Sequence, residues 1–141
     1  MSTKLVIEYD FDFELYGLIT PHKSFKLAYL INEKIEISLC RNDDLALDFG
    51  NRGQLTIANY SFESEYSHLT LYKNKADEFL KTNKPFLIPE LKEYDYFFKF
   101  EGEGDLFESG ELEDRLRSID QVQYIKRIEV TNLQSKDNLI G

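Results

Sequence analysis

The clearest pattern in the chain is an alternation of apolar and acidic positions near its start. Leu5, Ile7, Tyr9, Phe11, Phe13 and Leu15 fall on one face of an extended backbone, and Glu8, Asp10, Asp12 and Glu14 on the other. A period of two predicts a strand over 5–15, single or bent, that ends before Pro21. Ser24 is the expected N-cap of a helix over about 25–34. Phe25, Ala28, Tyr29 and Asn32 form its main stripe, with Leu27, Leu30 and Ile31 beside it. Ile35, Ile37 and Leu39 alternate again and predict a strand leaving that helix.

Residues 41–53 are polar, hold two glycines and read as connection. Gln54 to Phe62 and Tyr66 to Tyr72 read as a hairpin turning through Glu63-Ser64-Glu65. Over 73–93 the pattern suggests a helical turn around Asp77 to Leu80, then an extended Pro85 to Pro89 that fits only an edge or a crossing segment. Tyr94, Tyr96, Phe98 and Phe100 share one face of a further strand, with Asp95, Lys99 and Glu101 opposite and Phe97 an apolar exception. A turn at Gly102 to Asp105 leads to a helix over about 107–118, with Leu112, Leu116 and Ile119 facing inward. Its N-cap is either Asp105, with Glu108 completing a capping box, or Ser109. A strand from Val122 to Val130 follows, and the polar tail from Thr131 to Gly141 reads as loose.

These elements make one α+β domain over residues 1–141. The expected architecture is a single, mostly antiparallel sheet of five to seven strands, with two main helices packed on one face. The C-terminal strand–helix–strand unit resembles half of a ferredoxin-like or ACT-type domain, an analogy that leaves function open.

Composition narrows the function classes. The 141 residues carry 17 Lys+Arg against 26 Asp+Glu, a net charge of −9. That balance opposes nucleic-acid backbone binding, which needs clustered cations, and it opposes anionic membrane surfaces. The acid is concentrated on the face of the first strand and over 101–114, which holds seven acids and no base. Residues 115–127 hold four bases and one acid. The N-terminal MSTKLVIEYD lacks a signal-peptide core, and no apolar run approaches the ~20 residues that span a bilayer. With the single Cys40, this predicts a cytoplasmic protein without a disulfide.

One segment looks familiar. Ile88-Pro89-Glu90-Leu91-Lys92-Glu93-Tyr94-Asp95-Tyr96 resembles the signature of the IPExxxVDY family of small uncharacterised bacterial proteins, with Tyr94 where that signature has Val. Tyr9-Asp10-Phe11-Asp12-Phe13 and Glu101-Gly102-Glu103 are similar to that family as well, so the resemblance covers most of the chain. It implies no particular activity, cofactor or catalytic residue. Within the motif, Ile88, Pro89 and Tyr96 read as structural. Glu90 and Asp95 are its only members with acid–base chemistry, and acids flanking a strand are usually solvated or capping groups.

Other candidate chemistry is sparse. Glu8, Asp10, Asp12 and Glu14 recur every ~6.8 Å along a straight strand, too far apart to converge on one cation without a bend or a second strand. The ordinary alternative is a solvent-facing or lysine-paired side of the sheet, with Lys99 or Lys126 as partners. The 101–114 stretch lacks EF-hand spacing, and Gly102-Glu103-Gly104 is no phosphate cradle, because Phe107 takes the third glycine position. Cys40, His22 and His68 fall on separate elements with no nucleophile–base order. The leading expectation is therefore a non-enzymatic module that binds a protein partner or itself as a homodimer. The alternative is a small-ligand regulatory domain similar to ACT modules, with its ligand near Gly102, Glu103 and Gly104. A third reading is a divalent-metal enzyme built on Glu8, Asp10, Asp12 and Glu14. No cofactor is implied.

Overall fold

The computed structural model describes residues 13–102, 107–108 and 110–139. Among these residues, two α-helices and two antiparallel sheets build the fold, in place of the expected single sheet.

The first helix, α1 (Ser24–Ile35), turns Leu27, Ala28, Ile31 and Ile35 inward. Lys23 holds the N-cap position, and Ser24 is the first helical residue rather than the expected cap. No side chain caps this end. Glu36 ends the helix in a left-handed conformation, its amide bonding the Asn32 carbonyl at 2.8 Å. Asn32 was expected on the apolar stripe. Instead its Oδ1 accepts the Leu39 amide at 2.7 Å and its Nδ2 donates to the Leu39 carbonyl. That side chain takes the bonds a neighbouring strand would offer; the strand expected over 35–39 does not form, Ile35 ends the helix, and a two-residue strand, Cys40–Arg41, follows instead.

The strands are β1 (Glu14–Ile19), β2 (Cys40–Arg41), β3 (Leu45–Asp48), β4 (Gln54–Ile57), β5 (Asn59–Glu63), β6 (Ser67–Lys73), β7 (Glu78–Leu80), β8 (Tyr96–Gly102) and β9 (Tyr124–Ile128). The larger sheet runs β2-β5-β6-β8-β1-β9, and the smaller runs β3-β4-β7. The β5–β6 hairpin forms as expected, closed by the Ser64 amide on the Ser67 carbonyl. Its first arm, however, breaks at Ala58. Gln54–Ile57 belongs to the small sheet and Asn59–Glu63 to the large one, so one extended stretch turns the corner between them. The supposed connection 41–53 supplies β3, where Leu45 and Leu47 alternate inward. The supposed helical turn at 77–80 is β7, an edge strand paired to β4 from Thr56 to Gln54. Both segments are too short for their own periodicity to decide, and pairing with β4 decides it.

Two sheets make two cores. Tyr16, Leu18, Leu69, Leu71, Tyr96, Phe98 and Phe100 meet α1 and the second helix, α2 (Glu111–Arg117). On the opposite face of the same strands, Leu15, Tyr72 and Phe97 meet Leu55 and Ile57 of the small sheet. Phe97 is thus no exception: both faces of β8 are buried. Tyr94 precedes β8 and joins the second core, apart from the row Tyr96, Phe98, Phe100.

Helix α2 is shorter than the expected 107–118. Gly110, at φ 81°, is its N-cap, and the Glu111 carboxylate accepts the Glu108 amide at 2.9 Å. The caps proposed at Asp105 and Ser109 lie outside the described residues. Strands β8 and β9 flank β1, each antiparallel to it, and α2 connects them. The tail expected to be loose is docked over 131–139. Leu133 and Leu139 are buried in the second core, and the buried Lys99 ammonium donates to the Leu139 carbonyl at 2.6 Å. Among the described residues no helix is long and apolar enough to cross a membrane.

Candidate functional site

The segment from Ile88 to Tyr96 is a seam between the cores, and its hub is a residue that the sequence did not single out. Asn74 is fully buried just beyond β6. Its Oδ1 accepts the Ile88 amide at 2.9 Å, and its Nδ2 donates to the carbonyls of Leu91 (3.1 Å) and Tyr94 (2.9 Å). One side chain therefore closes the turn that Pro89 initiates. Flanked by Lys73 and Lys75, Asn74 reads locally as a surface residue, because all three partners lie 14–20 positions away.

Glu90 clamps the C-terminal segment. Its two carboxylate oxygens accept the amide and the hydroxyl of Ser135, each at 2.8 Å. Partial burial pushes this carboxyl up, but the hydrogen bonds from Ser135 and nearby backbone amides outweigh burial and hold it below the ordinary glutamate value. Asp95 accepts the Thr20 amide at 2.9 Å, while its own amide bonds the Leu18 carbonyl. Tyr96 donates its hydroxyl to the His22 carbonyl at 2.7 Å, and burial first, then the Asp95 charge, pushes it up to about 12. Glu90, Asp95 and Tyr96 are thus each engaged in holding backbone.

The far end of the seam, Tyr94 to Tyr96, lines a cleft of about 590 Å³. Its other walls are the turn Thr20 to Lys23, the start of α1 at Ser24 and Phe25, Arg41 of β2, the corner residue Ala58, and Lys73, Lys75, Asp77, Phe86 and Lys92. Five cationic and two acidic residues therefore line one space in a chain whose net charge is −9. Two cations are matched: Lys73 meets Asp77 at 2.7 Å and Arg41 meets Asp44 at 2.6 Å. Asp95 is held by the Thr20 amide. Lys23, Lys75 and Lys92 are exposed and form no ion pair among the described residues. The α1 amides before the first intrahelical bond, from the Leu27 amide to the Lys23 carbonyl, add positive potential without a capping acid.

The other expected sites lie elsewhere. Gly102 lines a separate cavity of about 310 Å³ with Phe13, Glu14, Phe100 and Arg127, and Glu103 and Gly104 lie outside the described residues. Glu8, Asp10 and Asp12 are likewise outside them. Glu14 shares the helix-side face with Tyr16 and accepts its hydroxyl at 2.5 Å; burial, then this bond, pushes the Tyr16 phenol up. The lysines expected to pair with that carboxylate row sit on the other face: Lys99 is opposite Leu15 and Lys126 opposite Gly17. Among the described residues no three His, Cys, Asp or Glu side chains gather as a cation site. Cys40 is an exposed thiol on β2, and His68 is the expected cross-strand partner, its Nδ1 3.6 Å from Glu101.

No family model matches the chain, and no curated protein or solved structure matches it.

Proposed function

We propose that this chain is a non-catalytic binding module whose ligand is a small anion held in the cleft at the start of α1. The observation that carries the reading is that three lysines without an ion pair among the described residues, Lys23, Lys75 and Lys92, line one cleft in an acidic protein. Like charges brought together at a folded surface repel, and an anion relieves that repulsion. The volume lies in the ~300–1,000 Å³ range of ligand sites.

The reading keeps the small-ligand alternative and moves its site away from the turn at Gly102. An ACT-like, ferredoxin-like core is supported by topology: β1, α1, β6, β8, α2 and β9 follow one another in the chain, and their strands lie in the order β6-β8-β1-β9. β2 to β5 are then additions between α1 and β6, and β7 is one between β6 and β8. Kinship with the IPExxxVDY proteins is supported by the segment 88–96 itself.

Calorimetric titration with pyrophosphate in ~50 mM salt, where screening is weak, tests the anion reading. Binding should produce heat and raise the melting temperature by mass action. Absence of both, with phosphate, pyrophosphate and sulfate alike, overturns it. A second reading, the interaction module paired as a homodimer, is favoured by Phe25 and Tyr29, which are 65% and 55% exposed one turn apart on α1. Sedimentation equilibrium tests it: a monomer at 100 μM (roughly, the weak limit of specific pairing) rules it out.

A further inference from the structure

The cleft is larger than a phosphate group needs, and its walls are not only cationic. Phe25 and Phe86 line it beside Tyr94 and Tyr96. Phe25 is the most exposed large apolar side chain among the described residues, and it sits at the cleft rather than in a core. Two further groups there have unused hydrogen-bonding capacity: neither the Ser24 hydroxyl nor the His22 ring makes a side-chain hydrogen bond among the described residues.

We infer that the ligand joins a phosphate chain to a flat ring, as a nucleoside diphosphate does, with the phosphates on Lys23, Lys75 and Lys92 and the ring against Phe25. This rests on the anion reading above and adds the ring to it. Three free ammonium groups suit a diphosphate better than a single phosphate, and lysine serves phosphate as a point charge without requiring a fixed fork. The exposed phenyl offers the stacking surface that a base uses regardless of its identity. His22 and Ser24 stand where a sugar or a base edge would find hydrogen-bond partners. The acidic surface outside the cleft disfavours a longer polyanion, so a mononucleotide fits where a nucleic-acid strand does not.

The test compares ADP, pyrophosphate and adenosine by calorimetry on the full chain, with Phe25→Ala and the pair Lys75→Glu/Lys92→Glu. All three positions are exposed, so these variants should fold, which circular dichroism and the melting temperature check. ADP should bind about tenfold or more tighter than pyrophosphate, within the range expected of one stacked base. Phe25→Ala should remove most of that advantage and leave pyrophosphate unchanged. The double charge reversal should weaken both ligands by about tenfold or more. Equal binding of ADP and pyrophosphate, with Phe25→Ala silent, overturns the ring and leaves the anion reading standing. Adenosine binding as well as ADP overturns the assignment of the lysines to phosphate. No binding by any of the three removes the anion reading and this inference together.

Discussion

Replacing Asn74 with Ala should be among the most damaging single changes in the molecule. The substitution strands two backbone groups, the Ile88 amide and the Tyr94 carbonyl, and takes one of two donors from the Leu91 carbonyl, which keeps the Tyr94 amide at 3.2 Å. Asn74, Ile88 and Tyr94 are 0%, 0% and 6% exposed, so water reaches their polar atoms poorly, while Leu91 is only partly buried. An orphaned buried group costs about 1–3 kcal/mol. Two such losses therefore sum to roughly 2–6 kcal/mol, against a total stability of about 5–15 kcal/mol for a domain. At ~3 °C per kcal/mol for a chain of this size, the melting temperature should fall by about 6–18 °C. Urea titration followed by circular dichroism reads the change, and Asn83→Ala is the control, an exposed asparagine expected to stay within ~0.5 kcal/mol. Asn74→Asp should be no better at neutral pH, because it keeps the acceptor for Ile88 but sets a carboxylate against two carbonyls. A loss below ~1 kcal/mol in Asn74→Ala would refute the claim that this amide holds the seam, since even one orphaned group should exceed that.

Gly17→Ala should destabilise by about 1–3 kcal/mol through overpacking, since a Cβ there would come within 2.6 Å of the Tyr94 ring; Gly17→Ala with Tyr94→Val should recover part of the loss, and additive losses would contradict the clash. Glu90→Gln should release the C-terminal segment, seen as lost hydrogen-exchange protection at Ser135 and Leu139, whereas unchanged protection shows that Leu133 and Leu139 hold it alone. Because the Glu90 carboxyl is held below its ordinary value, its contribution is complete above the unfolded value near 4.5 and fades as pH falls through the folded one. Alkali should act in the opposite sense on the tyrosines. Tyr72, 7% exposed and raised to about 12 chiefly by burial, keeps its proton longer folded than unfolded, so its contribution of about 2–3 kcal/mol is intact below pH 10 and is lost between 10 and 12. Lys99, lowered chiefly by burial against a weaker Glu101 effect, works the other way only up to 10.5. Urea midpoints should therefore fall above pH 10, and Tyr72→Phe should flatten the fall; an unchanged slope would place another group in charge.

Some of this molecule is legible in the order of its residues. The first helix, the hairpin, the aromatic strand and the final strand–helix–strand unit each carry enough periodic positions to declare themselves. The small sheet does not, because β3 and β7 offer four and three residues and their partner β4 is continuous in sequence with β5. The break at Ala58 leaves no mark, since a corner between sheets needs no glycine or proline when the chain stays extended. Phe97 was the one visible sign of a second core. An apolar residue on the supposed polar face of a strand means that this face is also covered. The docked tail was hidden for a similar reason: Leu133 and Leu139 are the only buried residues of 131–139, too few to set a period, and its polar anchors come from distant residues.

The charge pattern shows why the cleft escaped a reading along the chain. Lys23 precedes a helix, Lys75 follows a strand and Lys92 ends a single turn, so each looks like ordinary punctuation in its own neighbourhood. A window that sums charge finds the bases at 115–127, and two of those are already matched, Arg115 to Glu111 and Arg117 to Glu113. Unpaired charge is a property of tertiary structure, and here the seam creates it. Asn74 fixes where Lys75 leaves β6, and the turn it closes at Leu91 and Tyr94 carries Lys92. Asp95 ties the same seam to Thr20, three residues before Lys23. Glu90, Asp95 and Tyr96 hold the seam by hydrogen bonds, and the end of that seam is a wall of the cleft. Damage to the seam should therefore abolish anion binding even where no lysine is touched, and loss of the lysines should leave the seam intact.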